Sequence, residues 1–176
     1  MDIGIYTQEC EGENDMYENY GYFENYEDIN ARARELLTEG NIDGIKDLAR
    51  ENGIEDDIVE VFATSEIDFI CDAVTAAIGK VDIESSELQP QEIFKDWIEY
   101  IKALVLKDNN MALAVRKENK TIKGCISKIV IWSLKNSYPV DAAILKAANA
   151  PAATKLGIPG MGTAKKLIRE YYMEDK

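Results

Sequence analysis

PQEIFKDWIEYIKALV, residues 90–105, decides how the rest of the chain is read. Ile93, Phe94, Trp97, Ile98, Ile101, Leu104 and Val105 recur every three or four residues, which places them on one face of an α-helix. Pro90 suits the first turn of that helix, where a missing N–H removes no hydrogen bond. The two-residue alternation of a half-buried strand is nearly absent from the 176 residues, so the helical period is carried outward in both directions.

Upstream, Ile29, Ala33, Leu36 and Leu37 form a stripe that starts at Tyr26 and closes at Gly40. Asn41 is a cap for a second helix with Ile42, Ile45, Leu48 and Ala49 inward, ended by Gly53. Ile54, Ile58, Val61 and Phe62 predict a short third helix. Ser65-Glu66-Ile67-Asp68 reads as a capping box. It opens a fourth helix through Phe69, Ile70, Ala73, Val74, Ala77 and Ile78 up to Gly79, with residues 80–89 as a connector. Downstream, Met111, Leu113, Ala114 and Val115 form a short sixth element. Asn119 or Thr121 starts a seventh helix, with Ile122, Cys125, Ile126, Ile129, Val130, Ser133 and Leu134 on one face and Lys120, Lys123, Lys128 and Lys135 on the other. Val140 to Ala148 is a small-residue helix, Pro151 to Gly162 a loop, and Thr163 to Met173 a last helix anchored by Leu167, Ile168, Tyr171 and Tyr172. The expectation is an all-α fold of eight or nine short helices in a compact, bundle-like domain. Residues 1–25 are an acidic, Tyr-rich arm, 26–110 an acidic helical part and 111–176 a basic helical part, with 26–176 one continuous core. Tyr22, Phe23 and Tyr26 are expected to pack on the body, and the first dozen residues to be less ordered.

Charge divides more sharply than pattern. Residues 1–100 carry 27 Asp/Glu against 6 Lys/Arg, a net of −21, and residues 101–176 carry 6 against 14, a net of +8. Such asymmetry speaks of partners rather than of fold. The chain has no histidine, which removes the commonest general base and transition-metal ligand. Cys10, Cys71 and Cys125 are dispersed, with neither a disulfide framework nor zinc-site spacing. Cys71 and Cys125 fall within apolar patterns and are expected to be small buried hydrophobes. Glu55-Asp56-Asp57 lacks the alternating oxygen ligands and central glycine of a calcium loop and is read as helix N-terminal charge. No nucleophile and base pair is present. A non-enzymatic protein with no cofactor, no metal and no small-molecule substrate is expected. Met1-Asp2-Ile3-Gly4-Ile5 shows no basic region followed by an apolar run, and nowhere is there a membrane-length apolar segment, so a soluble cytoplasmic protein without membrane contact is expected.

LGIPGMGTAKKLI, residues 156–168, resembles the helix-hairpin-helix element of non-sequence-specific DNA binders, whose turn amides and helix N-terminus meet phosphates. It departs from that pattern because only Thr163 separates Gly162 from Ala164, about two residues short. The bland alternative is a glycine turn before a docked helix. With this turn, Lys120, Lys123, Lys128, Lys135, Gly160, Gly162, Lys165 and Lys166 are the candidate nucleic-acid contacts. Lysine dominates over arginine, which fits phosphate attraction better than base readout.

Four runs carry a wider resemblance: YFENYEDINARARELLTEGNIDGIKDLARENGI (22–54), GKVDIESSELQPQEIFKDWIEYI (79–101), AVRKENKTIKGCISKIVIWSLKN (114–136) and GIPGMGTAKKLIREYYM (157–173). Together they resemble small proteins of phages and conjugative elements of gut anaerobes, among them anti-CRISPR inhibitors of Cas9. Asn119–Cys125 is also similar to a segment shared by conjugative-element accessory proteins and another Cas9-inhibitor family. The resemblance implies a bacterial host-cell protein that binds the type II effector Cas9, in its guide-RNA-loaded form, and inhibits DNA targeting or cleavage. It carries over no contact residue. The charge pattern supplies candidates: Glu18, Tyr20, Tyr22, Glu24, Glu27, Asp28, Asp56, Asp57 and Glu60, a surface on which carboxylates stand where phosphates would lie in a basic channel. Two other readings stay open: a nucleic-acid-binding accessory protein of a mobile element acting through the basic half, and a DNA mimic directed at a restriction enzyme.

Overall fold

A computed structural model describes residues 17–174. The described residues open with a short strap, residues 17–25, and enter three consecutive helices, α1 (Tyr26–Thr38), α2 (Ile42–Glu51) and α3 (Asp56–Ala63). The expected stops and starts are in place. Gly40 and Gly53 take positive φ of 71° and 65°, the left-handed conformation that glycine adopts without penalty. The Asn41 side chain accepts from Gly44 N at 2.9 Å. Ile29, Ala33, Leu36, Ile45, Leu48, Val59 and Phe62 turn inward and form one apolar cluster, which Ile70 and Cys71, just before the next helix, and Ala76, in its first turn, complete.

That next helix corrects the sequence reading at both ends. α4 spans Ala73–Leu88. Ser65 opens no helix; its φ is 62°, and it lies in the turn after α3. The true cap is Asp72, whose carboxylate accepts from Thr75 N at 2.7 Å. That bond holds its carboxyl below the usual range. Gly79 does not stop the helix, and most of the supposed connector 80–89 is its last two turns. Glycine is required at 79 for a different reason. The backbone of Asn52 and Gly53 crosses so closely that a Cβ would overlap the Asn52 carbonyl. A glycine on each element lets two backbones touch, and α2 is thereby pinned to α4.

α5 (Ile93–Val105) follows, with Trp97, Ile98, Ile101, Leu104 and Val105 buried. Each fully buried side chain of this size contributes roughly 1.5–3 kcal/mol relative to an exposed one. α6 (Asn109–Arg116) packs most extensively against α4. α7 (Ile122–Lys135) starts at Thr121, whose hydroxyl accepts from Gly124 N at 3.0 Å. The buried face is narrower than expected: Ile122, Cys125, Ile126 and Ile129 are inside, whereas Leu134 is 74 % exposed. Next comes an excursion. β1 (Tyr138–Pro139) pairs antiparallel with β2 (Lys155–Leu156) around α8 (Ala142–Ala147). α9 (Met161–Met173) returns along α5, α6 and α7 and buries Ala164, Leu167, Ile168 and Tyr172.

Among the described residues the fold is therefore mostly helical, with nine α-helices and one small open sheet. A second apolar cluster joins α4 to α7 with α9, and Tyr26 packs against both clusters. Charge and packing divide the chain at different places: α4 lies in the acidic half by charge and at the centre by packing. Cys71 and Cys125 are buried thiols, pushed up to about 12 by loss of water. Tyr22, Phe23 and Tyr26 are half-buried on the body as expected. Cys10 and the expectation of a less ordered first dozen residues lie outside the described residues.

Gly79→Ala separates the two glycine explanations. Alanine gains about 1 kcal/mol of helix propensity. The overlap with Asn52 dominates, and we expect a net loss of about 1–3 kcal/mol, read from the urea midpoint by circular dichroism. An unchanged or raised midpoint rejects the close-approach account.

Candidate functional site

The strap and the centre of the molecule meet in a buried polar cluster built on two cations. Lys80 is 3 % exposed and Arg116 is 1 % exposed. A buried ammonium needs three acceptors. Lys80 finds them in the last turn of α6 and the loop that follows: Val115 O at 2.9 Å, Lys117 O at 2.8 Å and Lys120 O at 3.0 Å. The first of these carbonyls belongs to the last turn of a helix, which lacks intrahelical donors and carries the negative end of the dipole. Glu84, one turn along α4, stands 3.6 Å from the ammonium and accepts from Ile122 N at 2.5 Å. One Lys–Glu pair thus joins the end of α6 to the start of α7.

Arg116 serves the strap. Its guanidinium donates to Phe23 O, to Asn52 Oδ1 at 3.3 Å and to Ala76 O at 3.4 Å. Its own carbonyl accepts from the Tyr22 hydroxyl. The Tyr22 ring lies 4.9 Å from the guanidinium and 5.0 Å from the Lys80 ammonium, a cation–π contact with each. Tyr17 packs edge-on against Tyr22 at 5.0 Å. Burial raises both phenols, Tyr17 to about 12. Glu51 of α2 fastens the strap further by accepting from Asn19 N at 2.8 Å and Tyr20 N at 3.2 Å. Glu24 accepts from Glu118 N at 2.7 Å.

The acidic candidates are thereby held on a fixed frame. Glu18, Glu24, Glu27, Asp28, Asp56, Asp57 and Glu60 are all exposed. Glu27 with Asp28, and Asp56 with Asp57, occupy the first turns of α1 and α3, where the helix dipole favours negative charge. Several neighbouring cations are engaged locally: Arg32 with Glu35 and Arg50 with Asp47, both at 2.8 Å. The two aromatic candidates face inward instead. Tyr22 belongs to the buried cluster, and Tyr20 lies under Arg32 at 5.4 Å. Both position the acidic surface.

The basic candidates scatter. Lys120 is buried, because its ammonium donates to Tyr171 O and Glu174 O at 2.7 Å and so satisfies the end of α9. It does not share a solvent face with the other lysines. Lys128 pairs with Glu170 at 3.6 Å and Glu174 at 3.7 Å, and Lys166 with Glu170 at 3.7 Å. Lys165 lies over the Tyr100 ring at 4.8 Å. Lys123 and Lys135 are exposed. The glycine turn lacks hairpin geometry: Gly160 is the N-cap of α9, Gly162 is already helical, and an extended strand, not a helix, precedes the turn. Gly160 and Gly162 face open space.

Among the described residues, no group of three His, Cys, Asp or Glu is placed to hold a metal ion, and no helix is long and apolar enough to cross a membrane. No family model, curated protein or solved structure matches the chain.

Sequence reading missed Lys80, Glu84, Arg116, Asn52 and Glu51. A signal existed for two of them. Lys80 interrupts the apolar run AVTAAIGKV, and Arg116 ends MALAVR. A lone cation in an otherwise apolar helix face is costly unless partnered.

Removing one partner of such a cluster strands the others. Lys80→Met is expected to cost about 3–5 kcal/mol at neutral pH. The pH dependence has a definite sign. Burial lowers the Lys80 ammonium from 10.5 to about 8, against the opposing pull of Glu84. Below about 8, Lys80 is protonated in the folded and unfolded chains alike and adds no slope. Between about 8 and 10.5 the unfolded chain keeps a proton that the folded chain has released, so stability rises with pH. The raised thiols of Cys71 and Cys125 pull the other way above 9, so the difference between wild type and Lys80→Met carries the signal. Urea midpoints across that window should show the gap widening; a constant gap refutes the assignment.

Proposed function

We propose that this is a non-enzymatic binding protein that inserts the acidic surface of the strap, α1 and α3 into a basic, nucleic-acid-holding cleft of another protein. The observation that carries this reading is the set of seven exposed carboxylates on a strap that buried Arg116 fastens and on two helices packed into one apolar cluster. A rigid array of like charge suits a partner whose own positive groups are already arranged for phosphates. The resemblance in sequence names guide-loaded Cas9, inside a bacterial host cell, as the first target, with inhibition of DNA targeting or cleavage as the outcome. An antirestriction target shares the same chemistry. The reading in which the basic half holds nucleic acid has less support, since Lys120, Lys128 and Lys166 are engaged within the molecule.

The test combines binding and cleavage. Guide-loaded Cas9 is captured with the full chain, and DNA cleavage is measured beside it. We expect binding, loss of cleavage, and an association rate that falls steeply as salt is raised past about 0.1 M. Charge reversal at Asp56, Asp57 and Glu60 should slow association about tenfold or more. Intact binding and inhibition after reversal contradict the acidic surface as the contact. Absence of binding removes Cas9 and leaves restriction enzymes to be tried in the same format.

A further inference from the structure

The excursion between α7 and α9 has a surface that the acidic-face reading does not use. Apolar side chains are exposed there and on the last turns of α7: Ile131 and Leu134 on the helix, and Tyr138, Ile144, Leu156 and Ile158 on the excursion, Ile158 to 62 % and Ile144 to 60 %. The backbone explains why. Gly157 is pressed against the Ser133 carbonyl at the end of α7, so tightly that a Cβ would overlap it. Side chains alternate along an extended segment, so Leu156 and Ile158 point away from α7 when position 157 points toward it. Tyr138 stands opposite Leu156 in the β1–β2 register. Leu134 lies one residue from Ser133 and is the most exposed large apolar side chain described. Close packing at Gly157 thus turns an apolar ridge outward.

The charge around this ridge is one-sided. From Lys135 to Lys155 the chain carries Lys135, Lys146 and Lys155 and a single acid, Asp141. Asp141 is committed to its own helix, accepting from Ala143 N at 2.8 Å. Lys135, Lys146 and Lys155 are exposed beside the apolar residues. Contiguous exposed apolar surface with a polar rim marks an interaction site. Its occupant needs an apolar centre and an acidic rim. A phosphate backbone lacks the first. A symmetric pair of these ridges lacks the second, because lysines would face lysines.

The same chain carries the complement. On α3, Asp57, Glu60 and Val61 share one face by their three- and four-residue spacing. Val61 is 39 % exposed, and in the loop after α3 Phe69 is 54 % exposed beside the exposed Asp68. We propose that the ridge of Leu134, Leu156 and Ile158 docks on the acidic α3 face of a second copy, head to tail. Such a contact is heterologous: each copy retains one free surface of each kind, so copies add in a row rather than closing as a symmetric dimer. Because it covers Asp57 and Glu60, self-association and capture of a basic target exclude each other. Dilution or a target releases the acidic face.

The proposal is tested on the full chain alone, without any target, so its failure is separate from failure of the binding reading. Sedimentation velocity is run over a dilution series at low salt and at about 0.5 M salt, where charge contacts are screened. We expect species larger than the monomer that grow with concentration and weaken at least tenfold in high salt. Leu134→Glu with Ile158→Glu, and separately Asp57→Lys with Glu60→Lys, should each leave monomer. All four positions are exposed, so folding is expected to survive, and circular dichroism verifies it. Mixing the two monomeric variants should give a one-to-one dimer that grows no further, since each lacks a different surface. A wild type that stays monomeric overturns the proposal, as does association that survives either variant, or a mixture that fails to pair. A monomer that instead binds phosphatidylglycerol vesicles or a labelled oligonucleotide through Leu134 and Ile158 also overturns it.

Discussion

Two buried cations, Lys80 and Arg116, are the constraint on which the structure depends. Water is the cheapest partner for a charge, and both groups have given it up. The fold must therefore bring acceptors to them. For Lys80 they are one carbonyl of the last turn of α6 and two of the loop that leads to α7, together with Glu84. For Arg116 they are carbonyl and amide oxygens from the strap, the turn that ends α2, and α4. A helix end has carbonyls without donors and a negative dipole; a buried cation has donors without acceptors. Each supplies what the other lacks. In this way segments more than ninety residues apart, Phe23 and Arg116, become neighbours.

This arrangement changes the meaning of the charge split. A net of −21 beside +8 invites the picture of two opposed surfaces. The structure distributes the cations differently. Arg116, Lys120 and Lys80 face inward, where they hold helix ends and the strap. Lys128 of α7 and Lys166 of α9 are paired with Glu170 of α9. Most of the carboxylates of the strap, α1 and α3 face outward. Part of the positive charge thus stabilises the frame that displays the negative charge. Lys135, Lys146 and Lys155, exposed at the end of α7 and on the β1–α8–β2 excursion, accompany apolar residues there, a different kind of surface from a phosphate-binding face.

Local rules made much of the fold legible. Stripe period placed the helices, and Asn41, Thr121, Gly40 and Gly53 ended or began them where capping chemistry says they should. The failures have a common cause in tertiary contact. Gly79 looked like a stop because glycine has a backbone reason to end helices; its reason here is the Asn52 backbone that crosses it. Ser65 looked like a cap, but Asp72, closer to the buried run, held the better position. Lys120 matched a helical-wheel face of lysines, yet it lies before the helix begins and turns toward the end of α9. The exposed acidic positions were readable because solvated charge is what composition reports best. The polar cluster beneath them was not, since Lys80, Glu84, Asn52 and Arg116 converge from two helices, α4 and α6, and the turn that ends α2.

The central claim is that Arg116 makes the strap part of the cooperative core. Hydrogen exchange of the native protein tests it directly, because it reads the opening free energy of each segment. The account predicts that the hydrogen-bonded amides of Tyr20, Gly21 and Glu118 open together with those of α4 and α6. In Arg116→Met, the strap should lose protection far more than the α1–α3 helices do. Strap amides that exchange freely in the wild type, or that keep their protection in Arg116→Met, would contradict it.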